Sequence, residues 1–512
     1  MKLDFVANTR RNIIASFINK FVGMFFPFLR KTLFLWVLGP GYLGLNGLLY
    51  SILGMLMLAE LGFGTAIVCY MYKPVADDDN DLLCAYLRLF RTIYRWVGAI
   101  IFLAGLCLLP FLRHLIHGEI PADVNLPLVY LLHLINTSAS YFLFAYRGSI
   151  LSAHHRNDVY NNIRTGTAIV EFGVVTLVLY FTRDYCSYVV TTIIFTLINN
   201  LLMVYATRKL FPAVTPRGRL APGEIKKVIS DVKAIFMHKI GAVVSGSFDN
   251  IVISTFLGLV AVAAFNNYYS ICMAVSGLTG ALCYSMMGGF GNRIYTEDRN
   301  DNFRLLLKAN RMVMCSVLWC AAVLMALYQP FMALWTRHDP TLVRHLLTPV
   351  LMVILFYEKQ ARETLRMFKS AASLWRQDRW KAVVASLVNL SLNLLLINIL
   401  PDEDKLDGVV LATIVSDLAV QMPWESYVVF SVFFNRRQAG IYWRSQLIHT
   451  VLAVLLCTAV YLAVNAIPPG GTGSVVLKGL AGMFMAGILL LALFRSDAIA
   501  LLKAMTSHRK RS

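Results

Sequence analysis

Leu38-Gly39-Pro40-Gly41-Tyr42-Leu43-Gly44-Leu45-Asn46-Gly47-Leu48-Leu49-Tyr50-Ser51-Ile52-Leu53 decides the architecture of this chain. It joins two apolar runs, 13–38 and 42–71, through one tight glycine turn. Each run exceeds the ~20 residues a helix needs to cross a bilayer core about 30 Å thick. The arrangement then recurs. Leu257-Gly258 precedes Tyr269-Ser270-Ile271 at the spacing that separates Leu38-Gly39 from Tyr50-Ser51-Ile52, 219 positions later. The same offset pairs Phe17 with Phe236 and Lys20 with Lys239. An even number of spans separates the copies, so the two halves share one orientation. Parallel repeats of this kind, related by an axis along the membrane normal, characterise secondary transporters.

The composition of the 512 residues agrees. Hydrophobic residues make up 58%, charged residues only 15%, and the mean hydropathy is +0.64. That is too little polar surface to cover a water-soluble fold, which carries about 25% charged residues, and disorder is excluded on the same ground. About fourteen segments are long and apolar enough to span. They run near 13–38, 42–71, 93–112, 127–150, 163–182, 186–207, 234–257, 259–288, 312–335, 346–369, 382–400, 408–432, 447–467 and 475–494. The first is too long for a cleaved signal peptide, holds Arg30 and Lys31, and lacks a small-residue cleavage site. The expected fold is an all-α polytopic membrane protein with two pseudo-symmetric six-helix lobes and a C-terminal helix pair. Its divisions are a first lobe at 1–211, a Pro/Gly-rich basic cytoplasmic linker at 212–233, and a second lobe at 234–433. The helix pair at 434–494 and a basic cytoplasmic tail at 495–512 follow.

The formal charge of +19 would suggest nucleic acid in a soluble protein. Its distribution argues otherwise. Alternate loops and both tails hold most of the 47 Lys and Arg, whereas the opposite loops hold Arg113, Arg183, Arg337, Arg344 and Lys405. This asymmetry predicts that both termini are cytoplasmic and explains the charge without a nucleic-acid partner. The Arg88/Arg91/Arg95 stripe reads as a lead-in anchored to anionic head groups, and the tail as a surface-attached amphipathic helix. The nine cysteines are odd in number and scattered, with no ligand spacing, so neither a disulfide framework nor a metal site is expected. No P-loop, zinc-protease or nucleophile-elbow motif occurs, no cofactor is implied, and nothing reads as catalytic. No external loop is long enough to form a catalytic domain.

The run from Leu38 to Leu53 is followed by Leu58-Ala59-Glu60-Leu61-Gly62-Phe63-Gly64-Thr65-Ala66-Ile67 and Met71-Tyr72-Lys73-Pro74-Val75-Ala76. Together they resemble the bacterial polysaccharide flippases, which share a superfamily with multidrug exporters and lipid II flippases. The resemblance is close over about residues 12–210. Further on, Ser247-Phe248-Asp249-Asn250-Ile251 and Tyr268-Tyr269-Ser270 still look similar. It implies fourteen helices in two lobes around a central cavity with a final helix pair. It also implies an undecaprenyl-pyrophosphate-linked oligosaccharide, for O-antigen or capsule, moved from the inner to the outer leaflet of the bacterial cytoplasmic membrane. Membrane lipids and a polysaccharide polymerase or chain-length regulator are the partners to expect. A multidrug-type exporter, a lipid II flippase and a polytopic glycosyltransferase or polymerase are the competing readings; loop lengths disfavour the last.

Ionisable groups at membrane depth cost about 2.5–3.5 kcal/mol each on insertion scales and usually face water or one another. The candidates for holding the pyrophosphate are Lys20, Lys31, Arg147 and Lys239, because fixed cations donate charge-assisted hydrogen bonds to phosphate. Lys20 and Lys31 fall about 20° apart around their helix, on one face. For Arg147, snorkelling to the interface is an equal reading. Arg30, Asp249, Glu60, Glu171 and Asp417 are candidates for gating or ion coupling. Arg30 and Asp249 occupy equivalent repeat positions, which suggests a pair that closes one mouth; partners inside each lobe are the alternative. Glu60 suits a structural hydrogen bond between close helices as well as proton coupling. Glu358/Arg362 and Lys359/Glu363 have the spacing of intrahelical ion pairs, and His154-His155 read as solvated.

Overall fold

The computed structural model describes residues 5–493, apart from 61–62, 144, 373, 375–376, 379 and 469. The basic tail at 495–512 lies outside the described residues. No strand occurs among them, and the chain divides into two compact units, 1–263 and 264–512, with the division inside one long helix.

The first unit contains α1 (Phe5–Val37), α2 (Pro40–Leu56), α3 (Phe63–Ala76), α4 (Asn80–Leu108), α5 (Leu126–Phe142), α6 (Gly148–Ala153), α7 (Asn157–Thr182), α8 (Tyr185–Leu210) and α9 (Pro222–Leu257), and the start of α10 (Leu259–Thr296). α1 packs along α7, α2 along α9, and α4 along α5. The repeated turn has one geometry in both copies. Gly39 adopts φ 101°, ψ 176° and Gly258 φ 86°, ψ 179°, a region essentially reserved for glycine. Gly39 N–H donates to the Leu35 carbonyl and Gly258 N–H to the Ser254 carbonyl, while Leu43 and Val262 donate back to the respective glycines at 3.3 Å. At Gly44 the chain approaches so closely that an added Cβ would sit 1.8 Å from the Leu259 carbonyl oxygen.

The linker is shorter than its composition implies. α9 begins at Pro222, where a missing N–H costs nothing, and buries Val228 and Val232. Residues 222–233 are therefore helical, and the irregular connection is 211–221. Arg88, expected to reach lipid head groups, instead donates from Nη1 to the Gly218 carbonyl oxygen at 2.9 Å. Nor is the His154-His155 pair simply solvated. His154 stacks on Phe211 with ring centroids 4.0 Å apart, and His155 stacks on Tyr72. Burial holds the His154 imidazole below its ordinary range.

The second unit continues with α11 (Arg299–Trp335), α12 (Leu347–Ala361), α13 (Glu363–Ala371), α14 (Lys381–Ile399), α15 (Lys405–Ser416), α16 (Met422–Val432), α17 (Arg436–Asn465) and α18 (Thr472–Leu493). The expected C-terminal pair, α17 and α18, packs on α11 through Leu318, Ala322, Ala326, Leu456, Val460 and Ala486. Trp319 Nε1–H fixes the contact by donating to the Met483 carbonyl oxygen at 3.0 Å.

Among the described residues, nine helical segments are long and apolar enough to cross a membrane. The five other expected spans are 13–38, 42–71, 127–150, 234–257 and 346–369. In the first, the described side chains break at 13 and 17, and the remainder carries three basic residues. The second breaks into a 3-10 turn at Met57–Glu60, the fourth at Ala145–Arg147, and the tenth at Arg362. In the seventh, the apolar part described is Ser247–Leu257. Interrupted helices at membrane depth occur where the freed backbone groups face protein or a watery path.

Candidate functional site

The interruptions and the charges coincide. In the first unit, Glu60 ends the 3-10 turn after α2, and both its carboxylate oxygens accept hydrogen bonds. Tyr94 OH of α4 donates to Oε1 at 2.6 Å, and Tyr141 OH of α5 donates to Oε2. Gly98 permits the approach, because a Cβ there would lie 2.8 Å from that of Tyr141. This is the hydrogen bonding between close helices that one of the two readings of Glu60 expects. A carboxylate with two phenol donors ties a broken helix to two continuous ones.

Arg30 of α1 pairs with Glu171 of α7, Nη1 to Oε1 at 2.8 Å. The ion pair of Arg30 lies within the α1–α7 contact, as the alternative of a partner inside each lobe has it. The two candidates Arg30 and Glu171, assigned separately from the sequence, form one unit. Asp249 is buried in α9. Lys31 is half-buried and Lys20 exposed on α1. Lys239 lies in α9 with its side chain outside those described.

Arg147 does not snorkel. It closes the 3-10 turn before α6, is only 5% exposed, and has its Cζ 6.0 Å from the Tyr146 ring centroid. Its Nε and Nη1 have no hydrogen-bond partner among the described residues. A buried guanidinium with two unused donors is poised for an anion, since such groups are costly unless paired.

In the second unit, Arg362 stands at the junction of α12 and α13 and faces three carboxylates. Glu358 Oε2 is 3.3 Å from Nε, Asp417 Oδ2 3.2 Å from Nη2, and Glu425 Oε2 3.7 Å from Nη1. The chain of charges continues. Lys381 Nζ meets Glu425 Oε1 at 2.6 Å and Asp378 Oδ2 at 3.0 Å, and Lys369 also pairs with Asp378. The expected Glu358/Arg362 pair exists but is one edge of this network. The Lys359/Glu363 pair does not form. Glu363 takes Arg366 at 3.0 Å, and Lys359 Nζ lies 5.5 Å from the Tyr269 ring centroid.

Asp417 opens a π-helical turn, Asp417–Gln421, between α15 and α16, and accepts a hydrogen bond from Gln421. π turns inside α-helices cluster at functional positions. Two helix irregularities therefore meet through the Arg362–Asp417 ion pair. Lys369, Asp378 and Lys381 were not singled out from the sequence. The available signal was the run Glu358, Lys359, Arg362, Glu363, Arg366, Lys369, charged at every third or fourth position on an otherwise apolar segment.

Comparison with known proteins places this arrangement. Residues 9–284 match the family described as Polysaccharide biosynthesis protein. No curated protein sequence matches the chain. Among solved structures, the fold resembles the lipid II flippase MurJ in an inward closed conformation, with TM-score 0.68 and 16% identity over 95% of this chain and 99% of that one. It also resembles an inward-facing multidrug resistance MATE family transporter of the MOP superfamily (TM-score 0.58, 14% identity, 81% and 98% covered). A third likeness is to a Vibrio cholerae MATE transporter, with TM-score 0.53, 14% identity, and 84% and 99% covered.

Proposed function

Because the chain belongs to the polysaccharide biosynthesis protein family, we propose that it is a flippase, not an enzyme. It carries undecaprenyl-pyrophosphate-linked oligosaccharide from the inner to the outer leaflet of the bacterial cytoplasmic membrane, for O-antigen or capsule. The observation that carries the reading is Arg147: a buried guanidinium with two unused donors, on a helix break. A pyrophosphate crossing hydrocarbon needs such a fixed cation, and Arg can grip its oxygens bidentately. Lys20, Lys31 and Lys239 are the further cations we assign to the phosphate path.

The topology that goes with this function has both termini in the cytoplasm and two six-helix lobes, 1–211 and 234–433, alternating access. The final pair, 434–494, stands outside that repeat. The Arg30–Glu171 pair and the Asp417 network are the contacts we assign to the change of state. Asp249 is assigned to the same change at the position equivalent to Arg30. A polymerase or chain-length regulator is the protein partner this role calls for.

Deleting the gene should cause the lipid-linked oligosaccharide to accumulate on the cytoplasmic face. Arg147→Ala should lower export at unchanged protein level, and so should Lys20→Ala or Lys239→Ala, with Lys→Arg retaining much activity. Wild-type export by Arg147→Ala would remove its phosphate role. Raised drug sensitivity with no accumulated lipid would replace the flippase reading with a multidrug-exporter one.

A further inference from the structure

Outside the charges considered above, one cluster brings metal-ligand chemistry together. His345 precedes α12, while Asp404 and Asp407 flank the start of α15. His345 Nε2 lies 3.2 Å from Asp407 Oδ2 and 3.4 Å from Asp404 Oδ1, and one ligand atom from each residue falls within 4.8 Å of the others. Metal bonds of about 2.0–2.2 Å in a tetrahedral array put neighbouring ligand atoms about 3.3–3.6 Å apart. Of the two distances to the imidazole nitrogen, 3.4 Å lies within that edge and 3.2 Å just under it.

An ordinary ion pair accounts less well for the cluster. One imidazole N–H can be directed at only one of two carboxylates. Asp407 is 2% exposed and, beyond the His345 contact, neither of its carboxylate oxygens has a well-formed hydrogen bond among the described residues, although the Thr348 hydroxyl and the Arg344 charge act on it. Buried carboxylates left in that state are costly. Arg344, whose charge acts on Asp407, directs its Nη2 to the Glu403 carbonyl oxygen. With a neutral imidazole the three side chains sum to two negative charges, which a divalent cation offsets. The His345 and Asp404 side chains are 42% and 41% exposed, so an ion can enter and a fourth, solvent ligand can bind.

We propose that His345, Asp404 and Asp407 form a divalent transition-metal site of the zinc class. One nitrogen and two carboxylate donors suit Zn²⁺ better than Mg²⁺, which prefers an octahedral oxygen shell and keeps its waters. The bound ion clasps the segment leading into α12 to the start of α15. These are the helices that carry Arg362 and Asp417 at their far ends. The site does not depend on which substrate the protein carries.

The test uses the full chain, chelator-treated and reconstituted in lipid nanodiscs, titrated with ZnCl₂ and read by elemental analysis and thermal unfolding. The expected result is one Zn²⁺ per chain with an upward shift in unfolding temperature, and no shift with equal MgCl₂. His345→Ala, at an exposed position that leaves folding intact, should lose both the ion and the shift. Asp404→Asn and Asp407→Asn should do the same, while His154→Ala/His155→Ala should keep them. Substoichiometric zinc in the wild type, or stoichiometric zinc retained by His345→Ala, would overturn the proposal.

Discussion

Arg362→Ala strikes the centre of the buried ion network. The guanidinium is 4% exposed and lies within 3.2–3.7 Å of Asp417, Glu358 and Glu425. Truncation does not strand all three carboxylates equally. Lys381 stays 2.6 Å from Glu425 and continues to neutralise it. Asp417 keeps a hydrogen bond from Gln421 but loses its cation, and Glu358 loses its ion-pair partner. Removing one member of a buried pair costs about 3–5 kcal/mol, which is roughly a 140- to 3,700-fold loss in the folded population at 1.4 kcal/mol per tenfold. Asp417→Asn in the Arg362→Ala background removes one stranded charge and should recover part of that loss. A double-mutant cycle should give a coupling of about 0.5–3 kcal/mol. The measurement is unfolding of the solubilised chain in graded SDS, followed by circular dichroism. If Arg362→Ala unfolds with the wild type, or if the cycle is additive, the cluster does not act as a coupled network.

Three further outcomes follow from the geometry. Gly39→Ala and Gly258→Ala each force a Cβ into a glycine-only backbone region, so each should destabilise by about 1–3 kcal/mol; equal unfolding midpoints in both variants and the wild type would contradict the shared turn. Glu60→Gln keeps acceptor capacity on only one oxygen, so it should cost less stability than Glu60→Ala. Tyr94→Phe and Tyr141→Phe should each cost about 1–2 kcal/mol, and a silent pair of Phe variants would count against the bridge. Asp184 caps α8 by accepting from Ser187 N–H at 2.7 Å. Partial burial opposes ionisation there, but the hydrogen bonds from Ser187 and Cys186 prevail and hold the carboxyl below its ordinary value of 3.8. Its contribution, about 1 kcal/mol for a cap, is therefore fully present above that value and lost as pH falls through the lower folded value. Asp184→Ala should remove that loss from an acid titration of stability, and an unchanged titration would sink the assignment.

Local features were the ones most legible in the sequence. The Leu38-Gly39 and Leu257-Gly258 turns could be read because a glycine-specific conformation leaves a glycine in the text. The final helix pair was equally legible, because α17 and α18 hold the most apolar windows of the nine described spans. The three spans that the structure interrupts, 42–71, 127–150 and 346–369, were harder. Hydropathy averages over a window, so it passes smoothly across the 3-10 turn at Met57–Glu60 and the break at Arg362. The candidate site was legible as a set of charges and not as a set of pairs. Arg30 and Glu171 are 141 residues apart, and nothing in either neighbourhood specifies that α1 packs on α7. Glu358 and Arg362 were found at helical spacing, whereas the link to Asp417 depends on the packing of α12 against α15. The same holds for His345 with Asp404 and Asp407, which come together only when two helix starts are adjacent.

The Arg30–Glu171 pair also bears on how the chain enters the membrane. Arg30 is synthesised 141 residues before the carboxylate that neutralises it. At about 5–20 residues per second, that interval is roughly 7–28 s. Throughout it, α1 carries five basic residues, and Arg30 among them has no Glu171 to meet it. The Arg30–Glu171 contact therefore waits on α7, so the order of synthesis is not the order of assembly. A nascent chain that ends before residue 171 lacks the carboxylate that pairs with Arg30.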